Sequence, residues 1–409
     1  MKPDDREKRS VLEFLSDTFL HTMAKEKTSK RRGHHEEAHE HRRLAQHPHA
    51  LPIMFTALLV ITIALYVGFF PKEFSTAVAD IKAGAAEAAT AIPVPQLDKA
   101  AYDKKLWLIA NNGLPLASST LPTGAMYGAL ASTTKKTLWP VHTVYPNAGA
   151  LLPFNRIVAY YGNFYSTGMG VLGQYPPDQM IAKLKATVAS WQAADPSTPV
   201  IPAIDYIAVT AQASAGADGK YRARMPASQI QKAIDLANQV NGIVVLDVQV
   251  GLSTLQTELP LLAPYLKLPN VHLAIDPEFS MKDGVPPGHE IGTFSSSDVN
   301  YAANFLAKLV DDNNLPPKIL VIHRFTEDMV TGYKNITPMP EVQLVMDMDG
   351  WGSAAKKKGT YTYFIEDEPV QFTGFKLFYK NDLKPPSTAM MTPAQLLNLT
   401  PEPLFIQYQ

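Results

Sequence analysis

Apolar residues in the second half of this chain come in short continuous runs, and between them lie stretches with helical spacing. RIVAYYGN (156–163) is a first predicted strand, and PDQMIAKLKATVASWQAAD (177–195) repeats its apolar positions at helical intervals. VIPAIDYIAVT (200–210), GIVVLDVQVG (242–251), NVHLAIDPEF (270–279), KILVIHRF (318–325) and EVQLVMDMDG (341–350) predict five more strands. FTGFKLFYKND (372–382) and PEPLFIQYQ (401–409) supply a seventh and an eighth. Between them, MPASQIQKAIDLANQVNG (225–242) predicts a helix, and LSTLQTELPLLAPYLKL (252–268) a helix broken at Pro260 or two short ones. SSSDVNYAANFLAKLVDDNN (295–314) opens with capping hydroxyls and an acid, as a helix should. KKKGTYTYFIEDEPVQ (356–371) predicts no clean helix.

Strands that read as continuous apolar runs are buried on both faces, which belongs to parallel sheets covered by helices. Eight such units over residues 151–409 predict an α/β fold, a (β/α)8 TIM barrel, with PLFIQYQ pairing beside RIVAYYGN to close it. An open doubly wound sheet is the alternative. No GxGxxG follows the first strand, and GxSxG and GxxxxGK[ST] are absent, so dinucleotide, serine-triad and P-loop chemistry have no motif.

Upstream, the pattern changes. Leu51 to Pro71 carries no charged residue, about the length of a membrane-spanning helix. Residues 1–50 hold 11 Lys and Arg against 9 acids, and His21, His34, His35, His39, His41, His47 and His49 make this tail His-rich. Positive-inside counting puts the N-terminus in the cytoplasm and the main domain outside, on a signal-anchor and in contact with the lipid bilayer through 51–71. Cleavage near AVADIKAGAA is the competing reading. Residues 72–104 read as an Ala/Pro-rich stalk, and 105–150, with Trp107 and Trp139, as an extension packed on the barrel that covers one of its ends.

Composition narrows the chemistry. A formal net charge of -1 offers no basic face for nucleic acid. With no cysteine, thiolate metal sites and cysteine nucleophiles are excluded. A barrel places its chemistry at the C-terminal strand ends. Those ends here carry Tyr161, then Asp205, then Asp247 and Gln249, then Asp276 and Glu278; His323 and Arg324 follow, then Asp347 and Asp349, Lys376 and Tyr379, and Gln407 and Tyr408. Acids converging on one rim repel unless something polar or cationic fills the space. Asp276 and Glu278, two apart, share a strand face and so stand side by side, an arrangement that can hold one acid protonated and one ionised. Glu278 is the candidate general acid, assisted by Asp276 or Asp247; Tyr161, Asp205, His323, Asp347, Asp349 and Trp351 are candidate substrate contacts. His323 rather than Arg324 faces inward by strand phase. No histidine motif for a metal is present on the first strand, so no cofactor is expected; an oxygen-rich Mg²⁺ or Ca²⁺ site from Asp247, Asp276, Glu278 and Asp347 is the alternative.

The barrel layout, Asp276-Pro277-Glu278 on the fourth strand and MDMD on the sixth resemble TIM-barrel glycoside hydrolases of chitinase-like layout. There the final glutamate of an acid-rich motif donates the proton; the further upstream acids of that motif are replaced here by Val271 through Ile275. The resemblance implies a glycosidase-like hydrolase acting on a polysaccharide by carboxylate acid/base chemistry; with the apolar run of 51–71, the expectation is a membrane-anchored, extracytoplasmic one. The alternative is a non-catalytic glycan-binding or cell-envelope assembly protein on the same fold. Carboxyls set across a cleft would support hydrolysis; acids tied into ion pairs would support binding or structure.

Overall fold

The structure is a computed structural model, and it describes residues 96–113, 138–141 and 143–409. These belong to one compact unit, Pro95–Gln409; the other unit, Met1–Val94, lies outside the described residues, and with it the His-rich tail.

Eight parallel strands close into a barrel: β1 (Arg156–Gly162), β2 (Val200–Ala211), β3 (Ile243–Val248), β4 (Val271–Ile275), β5 (Lys318–Arg324), β6 (Val342–Met348), β7 (Phe372–Leu377) and β8 (Phe405–Tyr408). Closure is the expected one. Ile157 pairs with Phe405 and Tyr160 with Tyr408, while the other edge of β1 pairs with β2. β2 runs past the barrel into an antiparallel partner, Arg222–Arg224, whose two guanidiniums grip the buried Glu258.

Strand periodicity sorts the side chains into two cores. Outward residues such as Val158, Ile204, Leu246, Leu320 and Leu344 pack under the helices. Inward residues, among them Ile157, Ala159, Ala203, Val245, Ala274, Val321, Val345 and Phe405, fill the barrel itself.

Six helices matter for the argument: α1 (Lys99–Ala110), α2 (Pro177–Ala194), α3 (Ala227–Asn238), α4 (Leu255–Leu266), α5 (Ser296–Asn313) and α6 (Ala354–Tyr361). α1 packs Tyr102 and Ile109 against the inward core, covering the N-terminal end of the barrel. α5 starts with a capping box between Ser295 and Asp298, as the sequence suggested. α4 is one helix although it contains Pro260 and Pro264. Both prolines are exposed and four residues apart, so the carbonyls they leave without an intrahelical donor face water. α6 has no counterpart in the sequence reading. Its inward positions are Lys357 and Tyr361, and a buried lysine hides the apolar spacing that marks a helix.

The helix expected across Leu51 to Pro71 lies outside the described residues. Among the described residues no helix is long and apolar enough to cross a membrane. The longest, α2 and α5 at 18 residues each, carry charged side chains such as Asp178, Lys183, Lys308 and Asp311 on their solvent faces. The single-pass anchor, the cytoplasmic N-terminus, the extracytoplasmic main domain and the lipid-bilayer partner are therefore corrected, since no described element carries them.

Lys318, fully buried at the start of β5, donates to the carbonyls of Leu268 at 2.5 Å and Val271 at 2.9 Å. Burial lowers its pKa to about 7. Since an unfolded lysine titrates near 10.4, the unfolded chain binds the extra proton between those values. Stability should therefore rise with pH from about 7 toward about 10.4. Denaturant midpoints across that window should show this rise in the native chain and a weaker one in Lys318→Met; parallel curves would contradict the assignment.

Candidate functional site

One step beyond the apolar inward layer, every strand turns polar. Tyr161 follows Ala159, Asp205 follows Ala203, Asp247 follows Val245 and Asp276 follows Ala274, each by two residues. His323 follows Val321, Asp347 follows Val345, Lys376 follows Gly374 and Gln407 follows Phe405 in the same way. All eight are buried. Strand phase alone thus builds a polar floor at the C-terminal mouth.

Space for this floor comes from small residues beneath it. At Gly374 an added Cβ would lie 2.4 Å from Asp347 Oδ1 on the neighbouring strand. Gly374→Ala should therefore push Asp347 off His323 and cost about 1–3 kcal/mol, the usual scale of overpacking. A thermal melt reads the loss; an unchanged melting temperature would show that Asp347 has room to move.

His323 is the hub. Its Nε2 lies 2.8 Å from Asp247 Oδ2, and its Nδ1 lies 3.4 Å from Asp347 and 3.3 Å from Asp349. Burial alone would lower the imidazole pKa, but the Asp247 charge and the three carboxyl contacts raise it well above the ordinary value. His323 is thus held as a cation among acids. Lys376 is the second cation, with Nζ 3.0 Å from Asp349 Oδ1 and 3.9 Å from the centre of the Tyr161 ring. Burial works against its charge, and Asp349 and Asp276 outweigh that and raise its pKa.

Gln249 fixes Asp276. Its Oε1 accepts from the Ala211 backbone N–H, which orients the amide so that Nε2 donates to Tyr161 Oη and to Asp276 Oδ2, both at 3.2 Å. Asp276 Oδ1 accepts from the Glu278 N–H at 3.0 Å and caps a 3-10 turn, Pro277–Phe279. β4 ends at Ile275, and the carboxyl-bearing Glu278 stands in this turn, not on the strand. Gly292 makes the turn possible from the other side: a Cβ there would meet Pro277 O and Ser280 N at 2.6 Å. Asp205 accepts from Gln407 Nε2 at 2.5 Å.

Six acids meet two cations here, and the surplus is relieved by protons. Burial raises Asp276 to about 7, with His323 pulling the other way. Burial, then the charges of Asp276 and Asp349, push Glu278 well above the carboxylate range although the residue keeps partial exposure. Asp205, raised by burial and then by Asp247, and Asp347, raised by burial, follow the same direction. Asp349 shifts the other way. Burial would raise it, but Lys376 and His323 outweigh burial and hold its carboxyl below the usual range.

Asp276, Glu278 and Asp349 each bring a carboxylate oxygen within 4.8 Å of the others. This trio, not the set of Asp247, Asp276, Glu278 and Asp347, is what could surround a cation, and the Lys376 ammonium already neutralises one member. Among the described residues the Glu278 carboxylate makes no hydrogen bond, while its trio partners are committed to Gln249, Lys376 and His323.

Eight of the nine candidate residues therefore gather in one connected group. Trp351 stands apart, half-buried on the lip two residues beyond Asp349, with Lys384 Nζ 4.5 Å from its ring. Arg324 faces the opposite way and pairs with Glu368. Gln249, Lys376 and Gln407 were visible in the sequence only as polar strand ends, and the two-residue phase shared with Asp247, Gly374 and Phe405 is the signal that marks them.

No family model and no curated protein matches the chain. Among solved structures it is similar to a xyloglucan-specific endo-beta-1,4-glucanase of family GH5 from a metagenomic library, at 13% identity and TM-score 0.29 over 55% of this chain and 77% of that one. A broad-specificity GH5-4 endoglucanase from an uncultured bovine rumen ciliate gives 10% identity and TM-score 0.31 over 57% and 76%. A GH18 chitinase from Pseudoalteromonas aurantia gives 13% and 0.31 over 62% and 94%. The closed eight-stranded parallel barrel shown by its strand pairing has a distant, partial likeness to glycoside hydrolases and no specific family, and likenesses this weak carry no activity across.

Proposed function

We propose that the barrel binds a glycan at its C-terminal mouth, with the polar floor serving as a preorganised recognition surface rather than as cleavage machinery. The carrying observation is the commitment of the acids. Asp247 is bonded to His323 and Asp349 to Lys376, while Asp347 and Asp349 face the other His323 nitrogen at 3.4 and 3.3 Å. Asp276, Glu278 and Asp349 bring carboxylate oxygens within 4.8 Å of one another, too close for the about 6.5–9.5 Å separation with which an inverting glycosidase admits water, though near the about 5–5.5 Å of a retaining one. Paired acids that keep acceptor capacity suit the hydroxyls of a sugar, and the nearby Trp351 suits its apolar face.

Calorimetric titration of the full chain with a panel of neutral and charged oligosaccharides tests this. At least one should bind, and Asp349→Asn should weaken it by roughly tenfold to a hundredfold, the loss expected for a hydrogen bond to a charged group. If no glycan is bound and none is cleaved, the reading fails.

One observation favours hydrolysis as the second reading. Glu278 is pushed toward the protonated form while Asp349, within 4.8 Å, is held ionised by Lys376 and His323. Neighbouring carboxyls with pKa values driven apart are the usual acid and base of glycoside chemistry. On that reading Glu278 donates the proton and Asp349 supplies the negative charge that faces the developing cation.

A further inference from the structure

Asp205 is the one acid of the polar floor that neither glycan binding nor hydrolysis puts to use. It is fully buried, and its Oδ2 accepts from Gln407 Nε2 at 2.5 Å. Its Oδ1 is buried and has no hydrogen-bond partner among the described residues. Asp247 is in the same half-satisfied condition. Its Oδ2 lies 2.8 Å from His323 Nε2, and its Oδ1 is buried and bare. A buried acceptor without a donor is costly, and more so when it carries charge.

The two carboxyls belong to adjacent strands and face inward. β2 and β3 run in parallel with Asp205 opposite Val245 and Ile207 opposite Asp247. The aspartates are therefore diagonal neighbours on one sheet face, a position from which side chains can meet. Their donors come from opposite flanks: Gln407 from β8, beyond β1, and His323 from β5, beyond β4. What is left of the pair is one bare oxygen on each.

Charge points the same way. Asp205 is faced by Tyr161 from β1, Asp247 from β3, His323 from β5, Lys376 from β7 and Gln407 from β8. His323 is already in contact with Asp247, Asp347 and Asp349, and Lys376 is paired with Asp349. Asp205 receives only the neutral amide of Gln407. A proton on Asp205 removes the charge that has no cation of its own and gives Asp247 Oδ1 the donor it lacks. Asp247 then stays ionised and keeps His323 a cation.

We propose that Asp205 and Asp247 share one proton, carried on Asp205 Oδ1 and donated to Asp247 Oδ1. Asp205 is thus a positioning residue. It acts through Asp247 on His323, and through His323 on the ionised Asp349. The pair holds whatever the mouth binds, so it stands or falls separately from the glycan reading.

The test is carbon-13 NMR of the full chain with its aspartates labelled at the side-chain carboxyl. A resonance of a protonated carboxyl should persist at neutral pH and be missing from Asp205→Asn. In Asp247→Asn the same resonance should titrate at lower pH, because the neighbouring charge is gone. Asp205→Asn keeps an oxygen for Gln407 and offers an N–H to Asp247, so its melting temperature near neutral pH should match the native chain. Asp205→Ala leaves both partners bare and should melt roughly 2–6 °C lower. An unfolded aspartate titrates near 3.9. Above about that pH the folded chain holds a proton that the unfolded chain has lost, so native stability falls as pH rises through the pKa of Asp205. In Asp205→Asn that fall should be smaller. An Asp205 resonance that ionises in the ordinary aspartate range would overturn the proposal. So would Asp205→Asn melting as low as Asp205→Ala. Should Asp247→Asn fail to fold, the native resonance and the comparison of Asn with Ala at position 205 decide the matter by themselves.

Discussion

Deleting Leu404–Gln409 should leave a chain that no longer unfolds cooperatively. Phe405–Tyr408 is paired on both edges, to Ile157 through Tyr160 on one side and to Gly374 through Leu377 on the other. Its removal opens two strand edges at once and takes Phe405 from the inward core and Ile406 from the outward one. It also removes Gln407, the donor to the buried Asp205. A native domain holds only about 5–15 kcal/mol in reserve, and each large buried side chain removed costs several of these. A circular-dichroism melt should show no sigmoidal transition, and the truncated chain should bind a hydrophobic dye at ambient temperature. A cooperative melt at the native temperature would mean that the barrel is not closed by this strand.

Glu278→Gln should leave the fold and glycan affinity near native and, if the chain hydrolyses its ligand, reduce turnover by about 10²–10⁴, the contribution typical of a general acid. The substitution is close to isosteric, removes the transferable proton, and disturbs no hydrogen bond that the described residues make to this carboxylate. The pH profile carries a sign. A group that must be protonated works below its pKa, so the alkaline limb should fall only above the ordinary glutamate range, because burial and the charges of Asp276 and Asp349 raise Glu278. Asp349 must be ionised and is held so by Lys376 and His323, which leaves the acid limb low. Asp349→Asn should narrow the profile or abolish it. Native and Glu278→Gln proteins cleaving at equal rates would dismiss hydrolysis through Glu278 and leave the mouth a binding surface.

The strands were readable because burial on both faces writes itself as continuous apolar runs, and each of the eight runs became a barrel strand. The mouth was readable in part, because strand ends are defined by those runs and their polar residues could be named from phase. Which polar residue meets which could not be read. Asp247 and His323 are 76 positions apart, and their contact depends on β3 and β5 flanking β4, a fact of topology and not of local sequence. A spacing of two residues predicts that Asp276 and Glu278 share one strand face. Asp276 instead caps a 3-10 turn and brings Glu278 near by a different route. α6 carries no helical signature in the sequence because Lys357 takes the inward position where an apolar residue would mark the helix, and Asp382, whose charge makes that burial possible, comes 25 positions later.

The covering of one pole by α1 has a consequence for traffic. With Tyr102 and Ile109 seated on the inward core, and that core filled by Ile157, Val245, Val321 and Phe405, the barrel is a cup and not a tube. A long polymer has no passage along its axis. Whatever binds the barrel end opposite α1 must come and go on that same side.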